Sequence, residues 1–213
     1  MQIEFRKVVP VFLEEEKITR SQIWNNELVI NKGDRLQVVA PSGSGKTSLL
    51  HFLYGLRKDH SGDILFDGIS LKTFTPETDA ALRSGHVSIV FQDLRLFPAH
   101  TVRQNLEIKR SLAPYHSADS IGRMTALLGI QNKLDKLVST CSYGEQQRIA
   151  IIRSLMQPFD FLFLDEPFSH LDENNRHKAM QLIEEEAEAR NAGIILADLQ
   201  ARDYFKADTT IYL

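Results

Sequence analysis

Continuous apolar runs at four places along the chain predict buried strands. These runs are Leu36–Ala40, Val87–Phe91, Phe161–Leu164 and Ile194–Ala197. Strands that are buried on both faces occur in parallel sheets, so the runs predict a parallel sheet at the centre of the fold. Shorter segments near turn residues such as Ser61-Gly62-Asp63 predict a small antiparallel layer. These segments are Ile3–Val9, Glu27–Ile30 and Ile64–Phe66.

Helical patterns lie between the predicted strands. The region from about Thr101 to Leu137 lacks a buried-strand pattern and predicts helices that are interrupted at Pro114. The segment Glu173–Ala192 has apolar residues on one face, and we expect its helix to stop at Gly193. Strands and helices that alternate in this way predict an α/β fold.

Composition and charge narrow the class of protein. The chain has 213 residues, of which 43% are hydrophobic, enough for the core of one domain. Its net charge of −3 gives no bulk positive field, so we expect no nucleic-acid partner. Cys141 is the single cysteine, which excludes an intrachain disulfide and favours a reducing compartment. We expect no signal peptide, and no apolar run approaches the roughly 20 residues of a membrane span.

A segment rich in glycine and serine stands between a predicted strand and a predicted helix, Ser48–Leu56. The phosphate-binding residues predicted here are Ala40, Pro41, Ser42, Gly43, Ser44, Gly45, Lys46, Thr47 and Ser48. Glycines let backbone N–H groups surround phosphate oxygens, Lys46 can reach the β- and γ-phosphates, and the Thr47 hydroxyl can bind Mg²⁺. The usual pattern begins with Gly, and Ala40 replaces it at little cost if its φ is negative. The alternative is an ordinary turn followed by a chance Lys-Thr pair.

Two carboxylates follow the apolar run Phe161–Leu164. Ligands gather at the carboxyl ends of parallel strands. Asp165 should therefore face the phosphate-binding loop of residues 40–48, the P-loop, and hold Mg²⁺ directly or through water. Glu166 should lie near the γ-phosphate and polarise the attacking water. The alternative is an acidic surface turn, which does not explain the four large apolar residues before it.

Four further segments resemble those of the ATP-binding cassette (ABC) ATPases, in the family's order and spacing. They are Ser61–Gly68 (antiparallel β segment), Val90–Asp93 (Q-loop), Ser142–Arg148 (signature) and Ser169–Asp172 (D-loop). The resemblance covers most of the chain and implies a P-loop NTPase. Its expected parts are a RecA-like parallel-sheet core, a small antiparallel β subdomain and an inserted helical subdomain. We expect one domain, 1–213, with the core and β subdomain in 1–97 and 153–213 and the helical subdomain in 98–152.

The resemblance also implies roles for individual residues. Gln92 is expected to touch Mg²⁺ and the water, so the expected catalytic residues are Glu166, Gln92 and Lys46, and the expected metal ligands are Thr47, Gln92 and Asp165. Ser142, Gly144, Glu145 and Asp172 are expected to complete the ATP site of a second subunit, and a homodimer is favoured over a heterodimer. Phe12 is the candidate for stacking on adenine; the alternative is a core or hairpin phenylalanine.

The chain departs from the family pattern after its last buried strand. The switch histidine that contacts the γ-phosphate is absent, and Asp198 or Leu199 takes its position. An acidic residue there would repel the phosphate unless it is protonated or paired, so we expect binding to survive and turnover to be weakened. Cys141 replaces the leucine of the signature, either as a small packing residue or as a thiol beside the nucleotide interface.

The resemblance implies an integral-membrane, permease-type partner. The residues expected at its docking groove are Leu94, Leu96, Phe97 and Pro98, which could instead pack the helical subdomain. Subunits of lipoprotein-release, macrolide-efflux and cell-division complexes have segments like Thr101–Leu106. We therefore expect a cytoplasmic ATPase held at the inner face of the membrane by its partner. The alternatives are an ATP-gated signalling module with weak turnover and a soluble family member in repair or translation.

Overall fold

The computed structural model describes all residues, 1–213, and contains nine strands. They are β1 (Gln2–Pro10), β2 (Glu27–Asn31), β3 (Arg35–Val39), β4 (His60–Phe66), β5 (Ile69–Ser70), β6 (Val87–Val90), β7 (Phe161–Asp165), β8 (Gly193–Asp198) and β9 (Thr209–Tyr212). Five form a parallel sheet in the order β6-β7-β8-β3-β9, and four form an antiparallel sheet in the order β2-β1-β4-β5. Both predicted layers are therefore present.

Seven α-helices connect the strands. They are α1 (Glu15–Arg20), α2 (Lys46–Leu53), α3 (Pro76–Gly85), α4 (Val102–Leu112), α5 (Ala118–Leu127), α6 (Tyr143–Leu155) and α7 (Glu173–Glu188). Short 3-10 helices occupy Leu71–Thr73, Gln131–Lys133 and Val138–Thr140. Residues 98–152 contain helices and one isolated β-bridge, and α6 continues beyond residue 152 into the core. The predicted division of the domain at that residue stays a prediction.

The parallel sheet is the middle layer of the molecule, because its two faces contribute to different hydrophobic clusters. On β7, Leu162 and Leu164 belong to a cluster of 31 residues that includes α4, α5, α6 and α7. Phe161 and Phe163 belong to a cluster of 24 residues that includes α2 and the antiparallel sheet. The predicted α/β class is confirmed. The continuous apolar runs arise because both faces of these strands are covered.

Two glycines have different roles from those predicted. Gly193 is not the stop signal of α7; Asn191 has the positive φ, +49°, and Gly193 begins β8, where a Cβ would lie 2.6 Å from Phe161 Cε1. Gly62 is not in a turn but inside β4 at φ +66°, where the register with β1 shifts. A Cβ there would lie 2.1 Å from the carbonyl oxygen of Lys7. Both glycines allow a close approach between chain segments that are distant in sequence.

None of the seven helices is long and apolar enough to cross a membrane.

Candidate functional site

The predicted phosphate loop connects the end of β3 to the start of α2. Gly43 and Gly45 have φ values of +79° and +103°, which L-residues rarely adopt, so the loop depends on both glycines. Helix α2 begins at Lys46, two residues earlier than predicted, so its first N–H groups belong to the loop. Ala40 does not have a positive φ, and its departure from Gly imposes no backbone strain.

Lys46 is buried, and carbonyl oxygens at the start of the phosphate loop bind its side chain. Its Nζ atom donates to the carbonyl oxygen of Ala40 at 2.8 Å and to that of Pro41 at 3.3 Å. The same atom lies 3.4 Å from Oε1 of Glu166. The cation therefore stands between the loop carbonyls and the second carboxylate of the acidic pair.

Asp165 is a buried carboxylate whose two oxygens have no hydrogen-bond partner in the protein. Burial raises its pKa to about 6; the Thr47 hydroxyl, which is near but makes no hydrogen bond of normal geometry, opposes the rise, and the charge of Glu166 adds to it. Asp165 lines a cavity of about 270 Å³ together with Thr47, His51, Gln92, Asp93 and Arg95, of which the last two pair with each other. A buried carboxylate without donors, beside hydroxyl and amide oxygens, suits a divalent cation such as Mg²⁺. The residues present therefore fit the metal.

Glu166 follows Asp165 in the chain and contacts the phosphate loop through Lys46. Its φ is +46°, and its N–H donates to the carbonyl oxygen of Ala197 on β8 at 2.9 Å. A second cavity of about 360 Å³ is lined by Glu166, Gln92, Phe12 and six residues of the loop, which are Ser42, Gly43, Gly45, Lys46, Thr47 and Ser48. The fold thus places the predicted base, glutamine and cradle around one space.

Phe12 belongs to this space and not to the core. Its side chain is 48% exposed, which contradicts the alternative of a core phenylalanine. The guanidinium of Arg57 lies 4.3 Å from the centroid of its ring, so one ring face is already covered by a cation. The stacking role of Phe12 stays a prediction.

The four residues expected to serve a second subunit, Ser142, Gly144, Glu145 and Asp172, line neither cavity. Ser142 caps α6: its hydroxyl accepts from the N–H of Glu145, and the Glu145 carboxylate accepts from the N–H of Ser142. Gly144 passes close to the D-loop, where a Cβ would lie 3.1 Å from the carbonyl oxygen of His170. Asp172 caps α7 through Asn175. The four residues expected to serve a second subunit therefore do not meet the phosphate loop of their own chain.

The thiol of Cys141 is buried, and burial raises its pKa. Its Sγ donates to the carbonyl oxygen of Leu137 at 3.7 Å. These contacts favour the packing role of Cys141 over a reactive thiol at the interface.

Tyr143, which stands where the family's signature has its first glycine, was missed as a site residue. Its hydroxyl donates to the carbonyl oxygen of Gln92 at 3.3 Å, and its ring centroid lies 4.3 Å from that of His170. Buried Gln147 donates to Ser169 Oγ at 3.2 Å and accepts from the His170 N–H at 3.1 Å. The signature, Q-loop and D-loop are thus in direct contact, and the aromatic residue in a glycine position was the available signal.

At the end of β8, Asp198 is buried and paired. Arg202 donates from Nε to Oδ2 at 2.9 Å and from Nη2 to Oδ1 at 2.8 Å. Leu199 is 45% exposed and donates its N–H to Asp198 Oδ1. Asp198, one of the two residues predicted at the position of the missing histidine, therefore meets one of the two conditions stated for an acidic residue there, since it is paired.

The residues after Gln92 divide between packing and exposure. Leu94 is buried and Leu96 packs against the larger core, whereas Phe97 and Pro98 are exposed. A nearby cavity of about 450 Å³ between α3 and α4 is lined by Arg83, Lys109 and apolar residues such as Leu112, and no carboxylate lines it. Burial lowers the pKa of Lys109 to about 8, assisted by the charges of Arg153 and Arg83. This face therefore combines apolar surface with cations that have no acidic partner.

Comparison with known proteins places these features in one family. The family described as ABC transporter matches residues 24–169. The uncharacterized ABC transporter ATP-binding protein YbbA of Escherichia coli is 38% identical over 160 residues, covering 74% of this chain and 70% of the relative. The lipoprotein-releasing system ATP-binding protein LolD of Buchnera aphidicola is 36% identical over 183 residues, covering 84% and 80%.

Two further comparisons concern a longer protein and a solved structure. The macrolide export ATP-binding/permease protein MacB of Syntrophobacter fumaroxidans is 34% identical over 174 residues, which cover 79% of this chain and 24% of that protein. A solved dimeric ATP-binding cassette, MJ0796 bound to ADP and Pi, superimposes with a TM-score of 0.83 at 22% identity, covering 99% of this chain and 94% of the other. At this identity the likeness shows the fold alone: the P-loop NTPase fold of an ABC cassette, as predicted.

Proposed function

This chain belongs to the ABC transporter family as an ATP-binding subunit, and from that premise we propose that it hydrolyses Mg-ATP to drive a membrane partner. The observation that carries the proposal is the position of Asp165. This carboxylate is buried without a hydrogen-bond donor, beside Thr47 and one residue before Glu166. A cation at this point would compensate the buried charge, and it would lie where the phosphates of a nucleotide in the loop end.

Residues 40–48 bind the phosphates in this proposal. The N–H groups of the loop and of the first turn of α2 donate to phosphate oxygens. Lys46 exchanges its contacts with the carbonyl oxygens of Ala40 and Pro41 for contacts with the β- and γ-phosphates. Thr47, Asp165 and Gln92 would hold Mg²⁺, which would supply positive charge that offsets the charge of the phosphates. Phe12 presents its ring to the adenine.

Glu166 is the proposed base. It shares the cavity of about 360 Å³ with the phosphate loop, so a water between its carboxylate and the γ-phosphate can be oriented and can lose its proton to Oε. The positive φ of Glu166 supports the assignment, because strained backbone of this kind is concentrated at functional sites. Steady-state phosphate release tests it: we expect release from the unaltered chain with its partner and none from Glu166→Gln. Equal rates would exclude Glu166 as the base.

The complete site requires two copies of the chain in this proposal. Ser142, Gly144 and Glu145 lie at the start of α6, where N–H groups attract an anion, yet they do not line the phosphate cavity of their own chain. Asp172 in the D-loop does not line this cavity either. A second copy supplies these residues to the γ-phosphate, and one chain carries both half-sites, which favours a homodimer. The solved cassette of the same fold is described as dimeric, with ADP and Pi bound.

The membrane partner is proposed from the relatives and from one surface. The relatives are named as parts of lipoprotein-releasing and macrolide-export systems, and the latter is an ATP-binding/permease protein. Phe97 is exposed and donates its N–H to Asn105, one turn before Lys109 on α4, so this residue and the cavity at Lys109 suit a short apolar segment with an acidic residue. We place the protein at the cytoplasmic side of the membrane through this contact. Co-purification with a membrane subunit tests the assignment.

A second candidate function is an ATP-gated module with weak turnover. The observation that favours it is that neither position 198 nor position 199, where the switch histidine is expected, carries a histidine. Phosphate release from the assembled complex separates the two. A complex that binds ATP and changes its partner contacts without release would favour the gated module.

A further inference from the structure

Asp198 lies between the phosphate loop and the proposed base. Its carbonyl oxygen accepts from the N–H of Ala40, the first residue of the loop, at 3.1 Å. The preceding residue, Ala197, pairs with Asp165 in the sheet and accepts from the N–H of Glu166 at 2.9 Å. Three chain segments that carry the phosphate site therefore meet at the backbone of residues 197 and 198, and the Asp198 carboxylate stands at this end of β8. Its side chain is only 6% exposed.

A lone carboxylate at this point would oppose the last phosphate of ATP. The γ-phosphate carries negative charge, and in the proposed site it lies beside Lys46 and Glu166, next to the end of β8. Buried charges are weakly screened, so the repulsion would act on ATP more than on ADP, which lacks that phosphate. The site would then prefer the product to the substrate.

Arg202 removes this repulsion in the structure. Its Nε and Nη2 atoms bind both oxygens of Asp198, a fork-like geometry that fixes the guanidinium against the carboxylate. Its Nη1 atom makes no hydrogen bond to the protein, and the side chain is 30% exposed. The pair therefore has no net charge and keeps donors free.

We propose that Arg202 is a positioning residue that gives the site its preference for ATP over ADP, by neutralising Asp198 beside the γ-phosphate. The proposal rests on the proposed function, since it requires a nucleotide in the loop of residues 40–48. Arg202 compensates here for an acidic residue at 198, one of the two positions at which the family's histidine is expected. A purely structural role, in which Arg202 only fastens residues 199–204 to β8, would affect both nucleotides alike.

The test compares affinities for ADP and for the imido analogue of ATP, which is not hydrolysed, in the presence of Mg²⁺. For Arg202→Gln we expect a loss of about tenfold for the analogue and a change of about twofold or less for ADP. The double variant Asp198→Asn with Arg202→Gln, which lacks both charges, should recover most of the loss. Arg176→Gln, which removes a nearby arginine that does not contact Asp198, is the matched control and should leave the ratio unchanged.

Arg202→Lys separates charge from geometry. Lysine keeps the positive charge and loses the two-pronged contact, so the preference for the ATP analogue should stay within about threefold of the unaltered chain. Equal losses for both nucleotides in Arg202→Gln, or a double variant that binds the analogue as weakly as the single one, would overturn the role of Arg202. Failure of the unaltered chain to bind either nucleotide would instead overturn the proposed function and with it this inference. If Arg202→Gln does not fold, the double variant Asp198→Asn with Arg202→Gln carries the test: without either charge it should keep the preference for the ATP analogue, and a lost preference would contradict neutralisation as the cause.

Discussion

The Nζ atom of Lys46 lies 3.4 Å from Oε1 of Glu166, so the cation of the phosphate loop is paired with the carboxylate that follows Asp165. Both side chains are largely buried, at 5% and 14% exposure. In the proposed site, the γ-phosphate competes with Glu166 for this lysine and is repelled by the same carboxylate. The pair therefore links nucleotide affinity to the proposed base.

We predict that Glu166→Gln binds ATP more tightly while it stops hydrolysis. The amide no longer repels the γ-phosphate or holds Lys46 by charge, so affinity should rise by about three- to tenfold. Titration calorimetry measures the affinity, and phosphate release measures the turnover. Glu185→Gln, an exposed position on α7, is the control and should change neither quantity. An affinity that falls in Glu166→Gln would contradict the competition.

Asp165 should make the stability of the nucleotide-free protein depend on pH. Its folded pKa of about 6 lies above the ordinary value of 3.8, so the folded state binds the proton more tightly than the unfolded state does. The stability from this group is present below pH 3.8 and is lost as the pH rises through 6. The cost at pH 7.5 is roughly 2–3 kcal/mol.

Replacing Asp165 by Asn removes that cost. We predict that Asp165→Asn unfolds at a higher temperature than the unaltered chain at pH 7.5 without Mg²⁺, and that the difference disappears near pH 4. The variant should also lose the stabilisation that Mg²⁺ gives the unaltered chain at pH 7.5. Thermal unfolding at the two pH values, and at pH 7.5 with and without Mg²⁺, measures all three effects. Equal stabilisation of both proteins by Mg²⁺ would argue against Asp165 as a ligand.

Gly193 and Gly122 offer a matched pair of substitutions in the fold. A Cβ at Gly193 would lie 2.6 Å from Phe161 Cε1, inside the sheet that carries Asp165, whereas one at Gly122 in α5 meets no atom within 4 Å. Gly193→Ala should lower the free energy of unfolding by about 1–3 kcal/mol through overpacking. Gly122→Ala should raise it by roughly 0.5–1 kcal/mol, because alanine favours the helix. Urea unfolding measures both, and a neutral Gly193→Ala would contradict the close contact.

Much of the fold was readable from the sequence, because its signals are local. The apolar runs before Ala40 and Asp165 mark strands that are covered on both faces, and the glycines of the phosphate loop occur where positive φ values are needed. The stop of α7 was misplaced because Asn191 and Gly193 are both residues that can end a helix. Only the packing of Phe161 against Gly193 shows that Gly193 is needed in the sheet and that Asn191 ends the helix.

The contacts missed at the site join residues that are far apart in sequence. Tyr143 reaches the carbonyl oxygen of Gln92 across 51 residues, and no periodic pattern records such a contact. The pairing of Asp198 with Arg202 is local, but its meaning depends on the approach of Ala40 and Glu166 to the end of β8. Sequence patterns thus identify the candidate residues, and the fold determines which of them meet.

Lys109 should lower the stability of the free protein and contribute to binding of the membrane partner. Burial lowers its pKa to about 8, so its charged form is destabilising at neutral pH, and the cost falls as the pH rises towards the unfolded value of 10.5. We predict that Lys109→Met raises the midpoint of thermal unfolding at pH 7 by about 2–4 °C and weakens co-purification with the membrane subunit. Lys206→Met, at an exposed position outside this face, should leave co-purification unchanged. Unimpaired co-purification of Lys109→Met would exclude the cavity as the docking face.

The most direct test of the central claim is the mass of the Glu166→Gln chain in solution with and without Mg-ATP, measured by sedimentation together with bound nucleotide. The shared site predicts a monomer without nucleotide and, with Mg-ATP, a dimer that holds two nucleotides. Ser142→Ala in the same background should weaken the dimer without preventing each chain from binding ATP. A chain that is saturated with Mg-ATP and remains monomeric would contradict a site built from two copies.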